Sequence, residues 1–194
     1  MVGLMDAPAG APAVKVALTG RAGVGKTALA NHAARSAWEG TFPETLGSSV
    51  IDAVDAQRGR GYELWDVGAR HAANHPRAIV EQLRGVRAVV HLFSFSDRVS
   101  LASVRDDLAS IRAAMPAADV DPAAVPVILV GTKRDAVSSC QLSVHEARLE
   151  AEACGLPVTF VDSPPAELED LEYRGDYAVR ELFDALAEAV PVSP

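Results

Sequence analysis

The sequence predicts an α/β fold of three layers, with helices on both faces of a mostly parallel six-stranded sheet that has one antiparallel edge strand. Three observations lead there. Short β-branched apolar runs alternate with helical segments along the whole 194-residue chain. The inner runs, such as residues 86–95 and 127–130, carry apolar residues on both faces, so both faces are expected to be buried, as in parallel sheets. Between the first apolar run and the first helix lies Gly20-Arg21-Ala22-Gly23-Val24-Gly25-Lys26-Thr27, a glycine-rich loop of the G-x-x-x-x-G-K-[ST] pattern.

Residues 1–13 are rich in Ala, Gly and Pro and are expected to be a disordered lead-in, with one domain over residues 14–191. Residues 14–18 read as a buried strand, and an alanine-rich helix follows the loop over residues 28–38. Residues 39–48 form a polar loop. Residues 49–56 and 61–66 read as two strands joined through the turn at 57–60, which makes them the antiparallel pair. Residues 67–76 are irregular, and a short helix over 77–84 stops at Gly85.

Residues 86–95 form a central strand. One helix is expected over 97–115, because Leu101, Val104, Leu108, Ile111 and Met115 recur at three and four residues, and Pro116 ends it. Residues 116–125 read as a mobile surface loop and 127–130 as a strand. A helix over 143–154 opens on Ser143 with Glu146 three residues on, a capping box, and ends at Gly155 and Pro157. Residues 158–161 form a strand and 164–176 an acidic connection. The last helix, over 177–190, turns Val179, Leu182, Phe183, Leu186 and Val190 inward. Neither an internal repeat nor a second domain is visible.

Composition narrows the function. With 49% hydrophobic and 23% charged residues the chain is of ordinary globular make-up. A net charge of −8 argues against general binding of nucleic acid or anionic membrane, both of which want a basic face. Cys140 and Cys154 lack metal-ligand spacing and point to a reducing, cytoplasmic setting. No apolar run reaches membrane-spanning length, and no lipidation signal is present, so no direct lipid anchor is expected. His71 and His75 lack a third ligand and read as loop histidines, His91 as a core histidine, and the acidic run 167–172 as a solvated face.

The chemistry is concentrated in four segments. The glycines at 20, 23 and 25 let successive N–H groups of the loop point inward at an anion, and the helix opening at Ala28 adds its positive end. Lys26 reaches β- and γ-phosphates, and Thr27 offers a hydroxyl to a phosphate-bound Mg²⁺. Only three lysines stand among eighteen basic residues, and two of them, Lys26 and Lys133, fall in such motifs. Thr45, eighteen residues after Thr27, is placed to meet Mg²⁺ and a γ-phosphate. Asp66, in Trp65-Asp66-Val67-Gly68 at a strand end, is placed to hold the Mg²⁺ shell. Last, residues 127–135 deliver Thr132-Lys133-Arg134-Asp135 to the sheet's C-terminal edge. Guanine presents adjacent N1–H and N2–H₂ donors that the Asp135 carboxylate can accept as a pair, whereas adenine leaves it unpaired. Lys133 can lay its stem along the base.

In order and spacing, these segments resemble the Ras superfamily of small GTPases over nearly all of residues 14–190. The resemblance implies a P-loop NTPase fold (the small-GTPase G domain), GTP or GDP with Mg²⁺ as ligands, and effector proteins as partners. Metal contacts would come from Thr27, Thr45 and Asp66. Threonine stands at Thr132 where asparagine is commoner. The last guanine-contact loop would fall at Asp162-Ser163-Pro164, which carries the contact over to Ser163 while Pro164 departs from the pattern. Residues 91–101 and the Trp65–Asp66 strand end look most like the ciliary GTPases of the CPLANE (ciliogenesis and planar polarity effector) assembly. That likeness implies work with Fuzzy and Inturned proteins at the ciliary basal body, in recruitment of intraflagellar transport.

The chain departs from the family where water is positioned for attack. Ala69 stands for the glycine whose N–H meets the γ-phosphate beside Gly68, and Arg70 for the glutamine. A guanidinium has no acceptor with which to orient water. Ala22 narrows the loop towards any incoming arginine. Slow intrinsic hydrolysis is therefore expected, with Arg70 as an internal arginine finger as the alternative. A non-hydrolysing GTP-bound scaffold and a Rab- or Rho-like trafficking GTPase remain the other readings. A P-loop kinase or ATPase would leave Thr132-Lys133-x-Asp135 without a purpose.

Overall fold

The structure, a computed structural model, describes residues 13–35, 47–68, 75–161 and 171–191. Six strands form one sheet: β1 (Val14–Thr19), β2 (Ser48–Asp55), β3 (Arg60–Val67), β4 (Ala88–Ser94), β5 (Val127–Thr132) and β6 (Val158–Val161), in the order β2-β3-β1-β4-β5-β6. Every neighbouring pair is parallel except β2 with β3, which run antiparallel in register from Ser48↔Val67 to Asp55↔Arg60. The sheet is the one the sequence predicts, antiparallel edge included. The strand order reverses at β1, which lies between β3 and β4, and the crevice beyond such a reversal is where ligands of open α/β sheets sit.

Helices α1 (Lys26–Arg35), α2 (Pro76–Leu83), α3 (Arg98–Ala102), α4 (Val104–Ala114), α5 (Val144–Cys154) and α6 (Leu171–Ala189) cover the two faces. On one face Leu29, Ala30 and Ala33 of α1 and Val179, Leu182, Phe183 and Leu186 of α6 pack on Val16, Leu18, Val90 and Val130. On the other, Leu83, Leu108, Ile111 and Ala147 pack on Ala17, Val89, Phe93 and Leu129. Both β4 and β5 are buried along their whole length, so their continuous apolar runs follow from having a core on each side.

Four boundaries differ from expectation. The helix expected over 97–115 is two helices, parted at Ser103, where α3 ends. The Ser103 hydroxyl donates to Asp107 at 2.9 Å and its N–H turns back to Val99 O, so one residue closes α3 and opens α4 without breaking the apolar stripe. Residues 115–118 form a 3₁₀ turn that carries Pro116 and buries Met115 and Ala118, so the expected surface loop is partly core. Helix α6 starts at Leu171, six residues before the expected 177. Acidic residues suit the first turns of a helix, and Gly175 costs only about 1 kcal/mol, too little to stop it. Helix α1 starts at Lys26, taking Lys26 and Thr27 into its first turn. The Ser143–Glu146 capping box is present in both directions, with Glu146 N–H to Ser143 Oγ at 3.2 Å and Ser143 N–H to Glu146 at 2.7 Å. Residues 1–12 of the expected lead-in and the loop at 39–46 lie outside the described residues.

The β2–β3 hairpin is pinned to α6. Buried Asp55 accepts from Arg58 at 2.9 Å, the same guanidinium donates to Asp184 at 2.6 Å, Arg60 donates to Val190 O, and Tyr62 stacks on Phe183 at 5.4 Å. Among the described residues, no helix is long and apolar enough to cross a membrane.

Candidate functional site

The glycine-rich loop leaves β1 by passing directly over the backbone of β4. Gly20 has φ of +125°, and a Cβ there would lie 2.3 Å from Leu92 O, so no side chain fits. Gly23 and Gly25 follow with φ of +78° and +100°, conformations that glycine adopts without the Cβ penalty. The curled loop hands over to α1, whose first N–H groups have no acceptor within the helix. Lys26 is 7% exposed and folds over the crest of the loop, donating to Gly20 O at 2.9 Å and Arg21 O at 3.0 Å. Arg21 and Ala22 are exposed on that crest, Val24 is buried beneath it, and Ala28 lies in the first turn of α1.

Strand β3 pairs beside β1 with Leu18 opposite Asp66, which brings Asp66 to the loop's entry. Asp66 is fully buried, and its Oδ2 accepts from the Thr27 hydroxyl at 2.5 Å. A hydroxyl and a carboxylate held together at a helix start are hard oxygen donors of the kind Mg²⁺ takes, so these residues fit that ion. Gly68, also buried, donates its N–H to Gly47 O at 2.8 Å and ties the end of β3 to the approach to β2.

The segment read as guanine-selective is joined to the same loop. Thr132, at the end of β5, donates its hydroxyl to Val24 O at 2.6 Å and lies 3.1 Å from Phe93 O. Lys133 has φ of +61°, which turns its side chain back across the loop to donate to Gly23 O at 2.6 Å. Asp135 follows on the exposed turn. The Cys140 thiol faces the carbonyls of Lys133, Arg134 and Ala136 at 3.5–3.8 Å and backs that turn from beneath. Thr45, Ala69, Arg70 and Ser163 lie outside the described residues, as does His71.

Behind the loop sits His91, in the middle of β4 and 1% exposed. Its Nδ1 is 2.9 Å from the Thr19 hydroxyl and its Nε2 is 3.7 Å from Asp107. An Nε2–H aimed at the carboxylate leaves Nδ1 to accept from Thr19. Burial holds His91 down to about 4, with Asp107 pulling the other way and the Lys26 charge adding to the fall; burial likewise holds His32 of α1 at about 4. Both rings are therefore neutral at pH 7. The ordinary value for the open chain is 6.5, so unfolding takes up protons below that pH. Stability is fully present above pH 6.5 and is lost as the pH falls towards 4, by about 3 kcal/mol for His91. The carboxylate of Glu146, held at about 2 chiefly by the Ser143 N–H, adds its own loss only in stronger acid. Urea denaturation from pH 7 to pH 4.5 should show the histidine limb, and His91→Leu should flatten it by about half. An unchanged slope in that variant would refute the assignment.

Sequence reasoning missed three participants: the Leu92 carbonyl under Gly20, the Cys140 thiol under the turn at residues 133–136, and Gln82 on α2. The single visible signal for Gln82 was a polar residue next to Leu83 in a short helix that packs on the sheet.

Comparison with known proteins agrees with this arrangement. The profile of the Ras family matches residues 15–189. "Ciliogenesis and planar polarity effector 2" of Danio rerio is 28% identical over 202 residues, spanning 96% of this chain and 74% of the relative. The human protein of the same name is 26% identical over 206 residues, covering 96% and 77%. Human "GTP-binding protein RAD" is 30% identical over 176 residues, covering 87% of this chain and 52% of that protein. The family match runs from the first strand into the last helix, and the chain belongs to the Ras family.

Proposed function

We propose that this chain is a guanine-nucleotide-binding switch with slow intrinsic hydrolysis, acting in ciliogenesis. The single observation that carries the nucleotide reading is the tie between Thr132-Lys133 and the carbonyls of Val24 and Gly23. It joins a segment suited to guanine with a loop suited to phosphates, in one rigid unit. Residues 20–28 would grip the phosphates, Asp135 would read the purine with Lys133 and Ser163 flanking it, and Thr27, Thr45 and Asp66 would hold Mg²⁺. The ion, when bound, neutralises phosphate charge. Ala69 would offer its N–H to the γ-phosphate, beside Gly68, whose own N–H is tied to Gly47 O. Arg70 cannot accept a hydrogen bond from water, which supports slow turnover.

The ciliary part of the reading is supported by the two relatives named as ciliogenesis and planar polarity effectors. On that reading the chain works in the cytoplasm and at the ciliary basal body. It would bind effectors such as Fuzzy and Inturned proteins through the loops around Thr45 and Arg70, and would help to recruit intraflagellar transport.

The test has two arms. Purified chain should retain guanosine nucleotides against a large excess of ATP; equal displacement by ATP refutes the nucleotide reading. Thr27→Asn, which disturbs the contact with Asp66, should weaken capture of GTP-dependent partners at least about tenfold. A folded Thr27→Asn variant that binds partners unchanged would make the chain a nucleotide-holding scaffold instead.

A further inference from the structure

Trp65, the residue before Asp66, is gripped from two sides. The Gln82 side-chain amide donates to Trp65 O at 2.9 Å, and the same nitrogen donates to Leu18 O at 2.8 Å. The Lys15 ammonium lies 3.4 Å from the centroid of the Trp65 ring and donates to Glu81 O at 3.0 Å, on the last turn of α2. Both partners of the Gln82 amide are carbonyl oxygens, so its nitrogen, with two hydrogens, must face them. Leu18 and Asp66 are cross-strand partners. One buried amide, 3% exposed, thus spans the ends of the two strands that lead into the glycine-rich loop and into Asp66.

Packing alone does not ask for this residue. Methionine fills nearly the same volume with no amide to desolvate, whereas a buried amide is tolerated only when its donors are met. What the amide adds is direction: it fixes the separation of two strand ends where their own ladder is finishing. We propose that Gln82, aided by Lys15, is a positioning residue for the metal-bearing side of the nucleotide site, holding Asp66 at its distance from Thr27. This rests on the function proposed above.

Gln82→Met keeps the volume and removes both donors. With fluorescent GDP, release in Mg²⁺ is expected to be about tenfold faster than in the parent, and release in chelator to be unchanged within about twofold. The Mg²⁺ concentration that half-slows release should rise by the same factor. Without metal or nucleotide, amide hydrogen exchange over residues 64–68 should also quicken. Release accelerated equally with and without Mg²⁺, or in neither, overturns the proposal. Should Gln82→Met not fold, Lys15→Met carries the test: its Mg²⁺ midpoint should rise about threefold, and no rise overturns the role of the clamp. If the parent retains no guanosine nucleotide, the proposed function fails instead, and the exchange comparison alone judges the clamp, with unchanged exchange counting against it.

Discussion

Gly20→Ala is expected to weaken GDP and GTP binding at least about a hundredfold while leaving a folded domain. Two penalties fall on the same atom. The φ of +125° is one that an L side chain rarely adopts, and the new methyl would sit 2.3 Å from Leu92 O. That oxygen belongs to the middle of β4, buried on both faces, so it cannot give way. The loop must move instead, and its movement spoils the inward aim of the amides between Gly20 and Thr27. Strain of this kind costs about 1–3 kcal/mol before any clash is counted, and each 1.4 kcal/mol is about tenfold in affinity. Titration with a fluorescent guanosine nucleotide, beside a thermal melt, checks it. Affinity within about threefold of the parent would show that the loop's path over β4 does not govern binding.

The second large effect is expected at Asp135→Ala. Two charge-assisted hydrogen bonds to guanine would be lost, each worth about 1.5–3 kcal/mol. GTP affinity should fall by a factor of about several hundred, while the weak ATP affinity stays the same, so the ratio of the two collapses towards one. The contacts from Lys133 to Gly23 O and from Thr132 to Val24 O do not involve Asp135, so the phosphate grip should survive. Competition titrations with both nucleotides read this directly. A variant that lost ATP and GTP affinity alike would place Asp135 in the architecture of the turn rather than in base selection.

The sheet was legible because β4 and β5 are mostly apolar, as strands buried at every position must be, and the turn before Arg60 sets one pair antiparallel. The site was legible where chemistry is written in the side chain itself: Lys26, Thr27, Asp66 and Thr132-Lys133 converge on one sheet edge. Other features were hidden because they depend on backbone atoms. Nothing in the sequence says that Leu92 O lies under Gly20, or that Gln82 meets the carbonyls of Leu18 and Trp65. The break at Ser103 was hidden for a different reason. The apolar spacing runs through it without interruption, and the contacts of one residue, its hydroxyl to Asp107 and its N–H to Val99 O, mark where one helix stops and the next begins.

The pins between the β2–β3 hairpin and α6 have a kinetic consequence. Arg58 and Asp184 are 126 positions apart, and Arg60 and Val190 130. A ribosome must therefore release the chain through Val190 before the hairpin can lock, and loop closure over such spans slows the search for the native state. Until then the hairpin face that Phe183 covers stands open to other chains, the period in which a chaperone would matter most to this protein.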